Sequence, residues 1–120
     1  MSAFIFDQPS RPIVAGTQGV SVGTFTRIGA ISIAGGVPLS LVATINTSNP
    51  LNACELRLFD VVAALPVAGS TVSTVSTQGV TLTAPVTLPA AVTLYDLQLR
   101  LVTAAPADRA ICTSAQILPG

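Results

Sequence analysis

Residues 95–101 read YDLQLRL, and this short run decides how the rest of the chain is read. Tyr95, Leu97, Leu99 and Leu101 alternate strictly with Asp96, Gln98 and Arg100. A period of two places the four apolar side chains on one face of an extended strand, whereas a helix would scatter them. Apolar on one side and polar on the other is the mark of a half-buried antiparallel strand.

The same alternation recurs outward from this run. In VPLSLVATINT (37–47), Leu39, Leu41, Ala43 and Ile45 share a face. In ACELRLFD (53–60), Cys54, Leu56 and Leu58 oppose Glu55, Arg57 and Phe59. In LTAPVTL (82–88), Leu82, Ala84, Val86 and Leu88 are set against Thr83 and Thr87. Helix signals are poor, because Val, Ile and Thr dominate and favour strands through their stiff χ1. Only DVVAALP (60–66) has room for a short helical turn, which Pro66 would stop.

Turn signals separate the runs at Gly35-Gly36, at NTSNP (46–50), at Gln78-Gly79, at LPAA (88–91) and at APAD (105–108). They delimit strands at roughly 20–34, 37–47, 53–61, 68–76, 79–88, 92–103 and 109–118. The expected fold is all-β, a single antiparallel β-sandwich of jelly-roll type over residues 20–120. Residues 1–19, punctuated by Pro9, Pro12, Gly16 and Gly19, read as an extended N-terminal arm.

The segment STVSTVSTQ (70–78) carries a period of three that fits neither helix nor strand. A solenoid would need at least about three stacked units of 20 residues or more, and the triplet is far shorter. Val72 and Val75 fall on opposite faces, so burying both would take a bulge. The expectation is a bulged or edge strand that turns through Gln78-Gly79.

Composition excludes several functions. Charged residues are 8% of the chain, with five arginines against five acids, no lysine and no histidine. Five arginines balanced by five acids form no basic run to follow a phosphate backbone, so nucleic acid is not an expected partner. Without histidine the common triads fall away, and without lysine so do P-loops and Schiff bases. Cys54 and Cys112 have no metal-ligand spacing and are expected as buried reduced thiols. No cofactor or metal is expected. Glu55 and Asp96 are the carboxylates that could pair for glycoside hydrolysis. Each lies on a polar strand face beside an arginine, Glu55 with Arg57 and Asp96 with Arg100, so cross-strand charge pairs on a solvated or subunit-facing sheet are the expectation and catalysis is not.

Half the residues are hydrophobic, and the mean hydropathy is +0.73. No charge occurs from Ile28 to Cys54 or from Val61 to Tyr95. Both windows are nevertheless broken by Pro, Gly, Ser and Asn, against the 20 or so continuous apolar residues a spanning helix needs. MSAFIFDQPSRPIVAG (1–16) lacks the basic start and apolar core of a signal peptide, which implies synthesis in the cytoplasm. One small sandwich cannot bury this much apolar surface, so subunit contacts are expected, most simply in a homotrimer.

From Glu55 to Thr103 the chain resembles small β-sandwich structural proteins of tailed bacteriophages. The resemblance lies in LRLFD (56–60), VAGS (67–70), VTLP (86–89) and YDLQLR (95–100), and it covers about half the chain. It implies a non-enzymatic virion component, most simply a capsid decoration protein that binds itself and a major capsid or other virion protein. Phe4, Ile5 and Phe6 of the arm, with Phe59, Glu55, Arg57, Asp96 and Arg100, are the candidate subunit or shell contacts. The alternative is a carbohydrate- or receptor-binding module of a fibre, tail or cell surface. Against it, Trp is absent, Tyr95 falls on the core face and Phe59 alone makes no stacking platform.

Overall fold

The computed structural model describes residues 11–119, and over these the chain is all-β, without a helix. Nine strands are formed: β1 Arg11–Val20, β2 Thr26–Ile33, β3 Pro38–Thr47, β4 Cys54–Asp60, β5 Leu65–Pro66, β6 Val72–Thr74, β7 Val80–Thr87, β8 Thr93–Leu101 and β9 Ala110–Pro119. They build two antiparallel sheets. One has the order β1-β9-β3-β7; the other runs β2-β8-β4, with β5 and β6 both pairing with β4. The chain changes sheet at six of its eight connections, as in a jelly roll.

The alternating runs are the core. Leu56, Leu58, Tyr95, Leu97, Leu99 and Leu101 of one sheet are wholly buried, as are Leu41, Ile45 and Ile117 of the other. Leu56 sits opposite Leu99, and Leu58 opposite Leu97, so the apolar faces of β4 and β8 coincide residue by residue. In β9, Cys112 and Ala115 are both buried although an odd spacing should put them on opposite faces. A register shift against β3, where Thr44 and Ile45 face Ser114 and Cys112, absorbs the extra residue, which is a β-bulge.

Two expectations change, and a third is narrowed. Residues 11–19, read as arm, are most of strand β1, which pairs with β9 from Arg11↔Ile117 to Val20↔Ala110. Pro12 and the glycines hid it, but β1 is an edge strand, where a proline forfeits no ladder bond on the open side. Phe4, Ile5 and Phe6 lie outside the described residues. The Ser-Thr-Val repeat gives β6, the edge strand expected as one of two outcomes, paired with β4 alone. Val75 is 54% exposed, so no bulge rotates it inward. The segment 61–64 is a plain turn with Ala64 at φ 57°, closed by Asp60 Oδ1 accepting the Ala63 amide at 3.0 Å.

Candidate functional site

With the apolar faces turned inward, the polar faces of β4 and β8 are brought together on the outside of the five-stranded sheet. Glu55 is directly opposite Arg100, Arg57 opposite Gln98, and Phe59 opposite Asp96. Strand β2 adds Arg27 on the far side of β8, opposite Gln98. Phe25, just before β2, is half-buried beside them. Five of the chain's ten charged residues therefore occupy one sheet face.

The side chains interlock. Arg100 Nε donates to Glu55 Oε1 at 2.8 Å, and Arg100 Nη1 reaches the Gly23 carbonyl at 3.4 Å. Arg27 Nε meets Asp96 Oδ1 at 2.9 Å. Arg57 Nε donates to Gln98 Oε1 at 2.8 Å. Its guanidinium carbon lies 3.9 Å from the Phe25 ring centroid and 5.3 Å from that of Phe59. Arg100 lies over the same Phe25 ring at 4.6 Å. Such cation–π contacts hold a guanidinium flat and fix its donors in direction.

The charge pairs are cross-strand, as expected, but the partners are exchanged. Glu55 bonds Arg100 rather than Arg57, and Asp96 bonds Arg27 rather than Arg100. Neighbours two apart on one strand are separated by about 6.6 Å, whereas directly opposed cross-strand side chains start only about 4.5–5.5 Å apart. Asp96 and Arg100 stand four residues apart, about 13 Å along β8, which is beyond pairing distance. Arg57 thus has no carboxylate within salt-bridge distance among the described residues. Burial, and then the like charge of Arg100, pull its pKa below the usual guanidinium range, with Glu55 opposing. It stays cationic at neutral pH all the same.

Glu55 and Asp96 do not form a two-carboxylate hydrolytic pair. The register offsets them by four residues on adjacent strands, with backbones about 14 Å apart, and each carboxylate is engaged by its own arginine, Glu55 by Arg100 and Asp96 by Arg27. Among the described residues no cluster of His, Cys, Asp or Glu could hold a metal. Cys54 and Cys112 are buried free thiols. Burial pushes both pKa values up to about 11, backbone hydrogen bonds opposing, so neither supplies a thiolate at neutral pH.

The Glu55–Arg100 pair is partly open to solvent, with side chains 23% and 32% exposed. Glu55→Gln is therefore expected to lower stability by only about 1 kcal/mol. A urea titration checks this, and a loss several times larger would mean that the pair is effectively buried.

Sequence reading placed Glu55, Arg57, Phe59, Asp96 and Arg100 on polar strand faces, and the register assembles them. It missed Phe25, Arg27 and Gln98 as members of the same cluster. Phe25 precedes its strand, and nothing local tells which strand β2 will join.

No protein-family model matches the chain, and no curated protein matches it in sequence. Solved structures do match in shape. The C-terminal CBM6 module of LamC, a marine laminarinase from Zobellia galactanivorans, superposes with a TM-score of 0.56 at 9% identity, covering 91% of this chain and 98% of that module. The CBM22-1-GH10 modules of xylanase 10B from Clostridium thermocellum, in complex with xylohexaose, match with a TM-score of 0.50 at 12% identity. That match covers 93% of this chain but only 26% of the xylanase chain. The likeness is one of fold. These neighbours are carbohydrate-binding-module sandwiches rather than phage proteins.

Proposed function

We propose that this domain is a non-catalytic binding module whose ligand is a glycan, held on the outer face of the five-stranded sheet. The observation that carries the reading is the concentration of half the chain's charge, together with Phe25 and Phe59, on that single face. A chain this poor in charge has little other polar surface with fixed geometry. Arginine, glutamine and carboxylate groups can address neighbouring sugar hydroxyls in pairs, and ring edges add apolar contact. The two rings are partly covered by guanidinium groups, so recognition would be led by hydrogen bonds rather than by open stacking. The carbohydrate-binding modules of similar fold support the class of ligand without naming it.

Affinity electrophoresis and calorimetry against laminarin, xylan and a panel of bacterial and algal polysaccharides test the proposal. Wild-type protein is expected to bind at least one of them, and Arg57→Ala, folded by circular dichroism, is expected to bind at least about tenfold more weakly. Absence of binding across the panel, or an Arg57→Ala variant that binds normally, would overturn it.

A second reading, capsid decoration by a homotrimer seated on a major capsid protein, rests on the phage resemblance and on exposed apolar side chains. Leu51, Val62 and Val92 are 93%, 80% and 72% exposed, and such residues favour subunit contacts. In that reading Phe4, Ile5 and Phe6 would dock on a neighbour. Light scattering at micromolar concentration separates the two, a monomer favouring the glycan module and a stable trimer favouring decoration.

A further inference from the structure

Arg57 is held differently from the other two arginines of the outer face. Arg100 has every guanidinium nitrogen engaged, Nε and Nη2 by Glu55 and Nη1 by the Gly23 carbonyl. Arg27 is paired with Asp96. Arg57 is fixed at Nε by the Gln98 oxygen and flanked by the rings of Phe25 and Phe59, yet its Nη1 and Nη2 have no hydrogen-bond partner among the described residues. Tyr95 Oη is the single buried side-chain polar atom left unpaired among those residues, so both Arg57 nitrogens are open to solvent.

Gln98 extends the pattern. An N–H donor admits only the amide oxygen, so the bond from Arg57 Nε fixes which way the Gln98 amide is turned. Its NH2 group then has no acceptor among the described residues and is likewise open to solvent. The acids nearby are already engaged, Glu55 by Arg100 and Asp96 by Arg27. Three arginines against two carboxylates leave the cluster one positive charge in excess, in a chain that is neutral overall. Arg57 and Arg100 also lie over the same Phe25 ring, 3.9 and 4.6 Å from its centroid, and only Arg100 has a carboxylate partner. An anion placed on Arg57 would offset that repulsion, whereas a neutral hydroxyl would not.

We infer that Arg57, with the Gln98 amide beside it, is an anion subsite, and that the glycan held on this face is acidic, carrying a uronic acid carboxylate or a sulfate ester. The inference rests on the glycan reading of the face. A guanidinium engaged at Nε keeps its end-on edge, where Nη1 and Nη2 donate in parallel to two oxygens of one carboxylate or sulfate. The two rings and Gln98 already set its orientation, so little side-chain freedom is lost on binding. A hydroxyl offers that edge one oxygen and needs an acceptor for its own proton, which the Nη groups lack. Sugar hydroxyls are left to Glu55 and Asp96, each of which has an oxygen outside its ion pair.

Glucuronate, its methyl ester, glucose 6-sulfate and glucose present one kind of sugar ring with different groups at C6. NMR titrations of the full chain at low ionic strength, followed at the Arg57 Nε–Hε and Gln98 side-chain amide signals, compare them. Glucuronate or glucose 6-sulfate is expected to bind at least about tenfold more tightly than glucose and the ester. Preference for glucuronate assigns a uronic acid, and preference for the sulfate assigns a sulfate ester. Arg57→Gln should abolish the preference. So should Gln98→Glu, which gives Arg57 a carboxylate from within the chain and keeps the test open if Arg57→Gln fails to fold. Arg109→Gln, on the other sheet's side of the sandwich before β9, should keep it. Equal affinity for acidic and neutral sugars, no shift at Arg57 with any probe, or a preference that survives both variants overturns the inference. Neutral polysaccharides retained on affinity gels would then leave the glycan reading standing. If instead free acetate and sulfate bind Arg57 as well as the sugar acids do, and no polysaccharide is retained, the glycan reading falls and Arg57 remains an anion site.

Discussion

Replacing Leu99 with alanine is expected to lower the free energy of unfolding by about 2–5 kcal/mol. Leu99 is wholly buried at the middle of β8, which lies between β2 and β4. It faces Leu56 on one side and Thr26 on the other. Strand β4, which carries Leu56, is held by ladders on both edges, so its side chains can close only part of the space that truncation opens. The loss then includes a cavity as well as lost burial. Urea unfolding should show a lower midpoint at unchanged slope. A loss under about 1 kcal/mol would mean that the core relaxes around the gap more freely than this packing allows.

A second substitution should do more damage with fewer atoms. Gly35→Ala places a methyl group 2.3 Å from the Leu88 carbonyl oxygen and 2.6 Å from its carbonyl carbon and Cβ. Two of these three are backbone atoms. They cannot swing aside, because Gly35 N donates to Pro89 O and Gly36 N to Leu88 O, both at 2.9 Å. Leu88 itself is buried in the core. Relief therefore requires the 34–37 turn and the end of β7 to separate, with an expected loss above about 3 kcal/mol and little soluble protein. Gly19→Ala is the control, since its Cβ would approach nothing closer than 3.5 Å. If both variants express and melt alike, the close approach at Gly35 is not a constraint.

Where alternation is uninterrupted, sequence and structure agree nearly residue for residue. Leu39, Leu41, Ala43 and Ile45, and Tyr95, Leu97, Leu99 and Leu101, are buried as their parity requires. Agreement stops where the period breaks. The bulge in β9 lets Cys112 and Ala115 face the same way, and no local feature of ICTSAQI (111–117) announces it. Strand β1 escaped because proline and glycine argue against strands in general but not at an edge. The candidate site was half legible. Which residues face outward follows from parity, whereas which of them touch depends on strand order. That order is set by pairings such as Glu55↔Arg100, 45 residues apart.

The place of β9 has a consequence for the time course of folding. Sheet β2-β8-β4-β5-β6 contains nothing beyond Leu101, so every residue it needs is present once that position has been synthesised. The other sheet is different, because β9 lies between β1 and β3 and is their shared partner. Until residues 110–119 leave the ribosome, β1 has no ladder and β3 has only β7. Closing β1 onto β9 joins Arg11 to Ile117, a loop that spans nearly the whole chain. The entropy of closing a loop grows only slowly with its length, but it must be lost before the distant contacts can repay it. The nascent chain therefore carries one complete sheet covered only in part, by the β3–β7 pair, and an unpaired β1, until residues 110–119 have been synthesised. This is the interval in which chaperone binding or strand exchange between neighbouring chains would compete with folding.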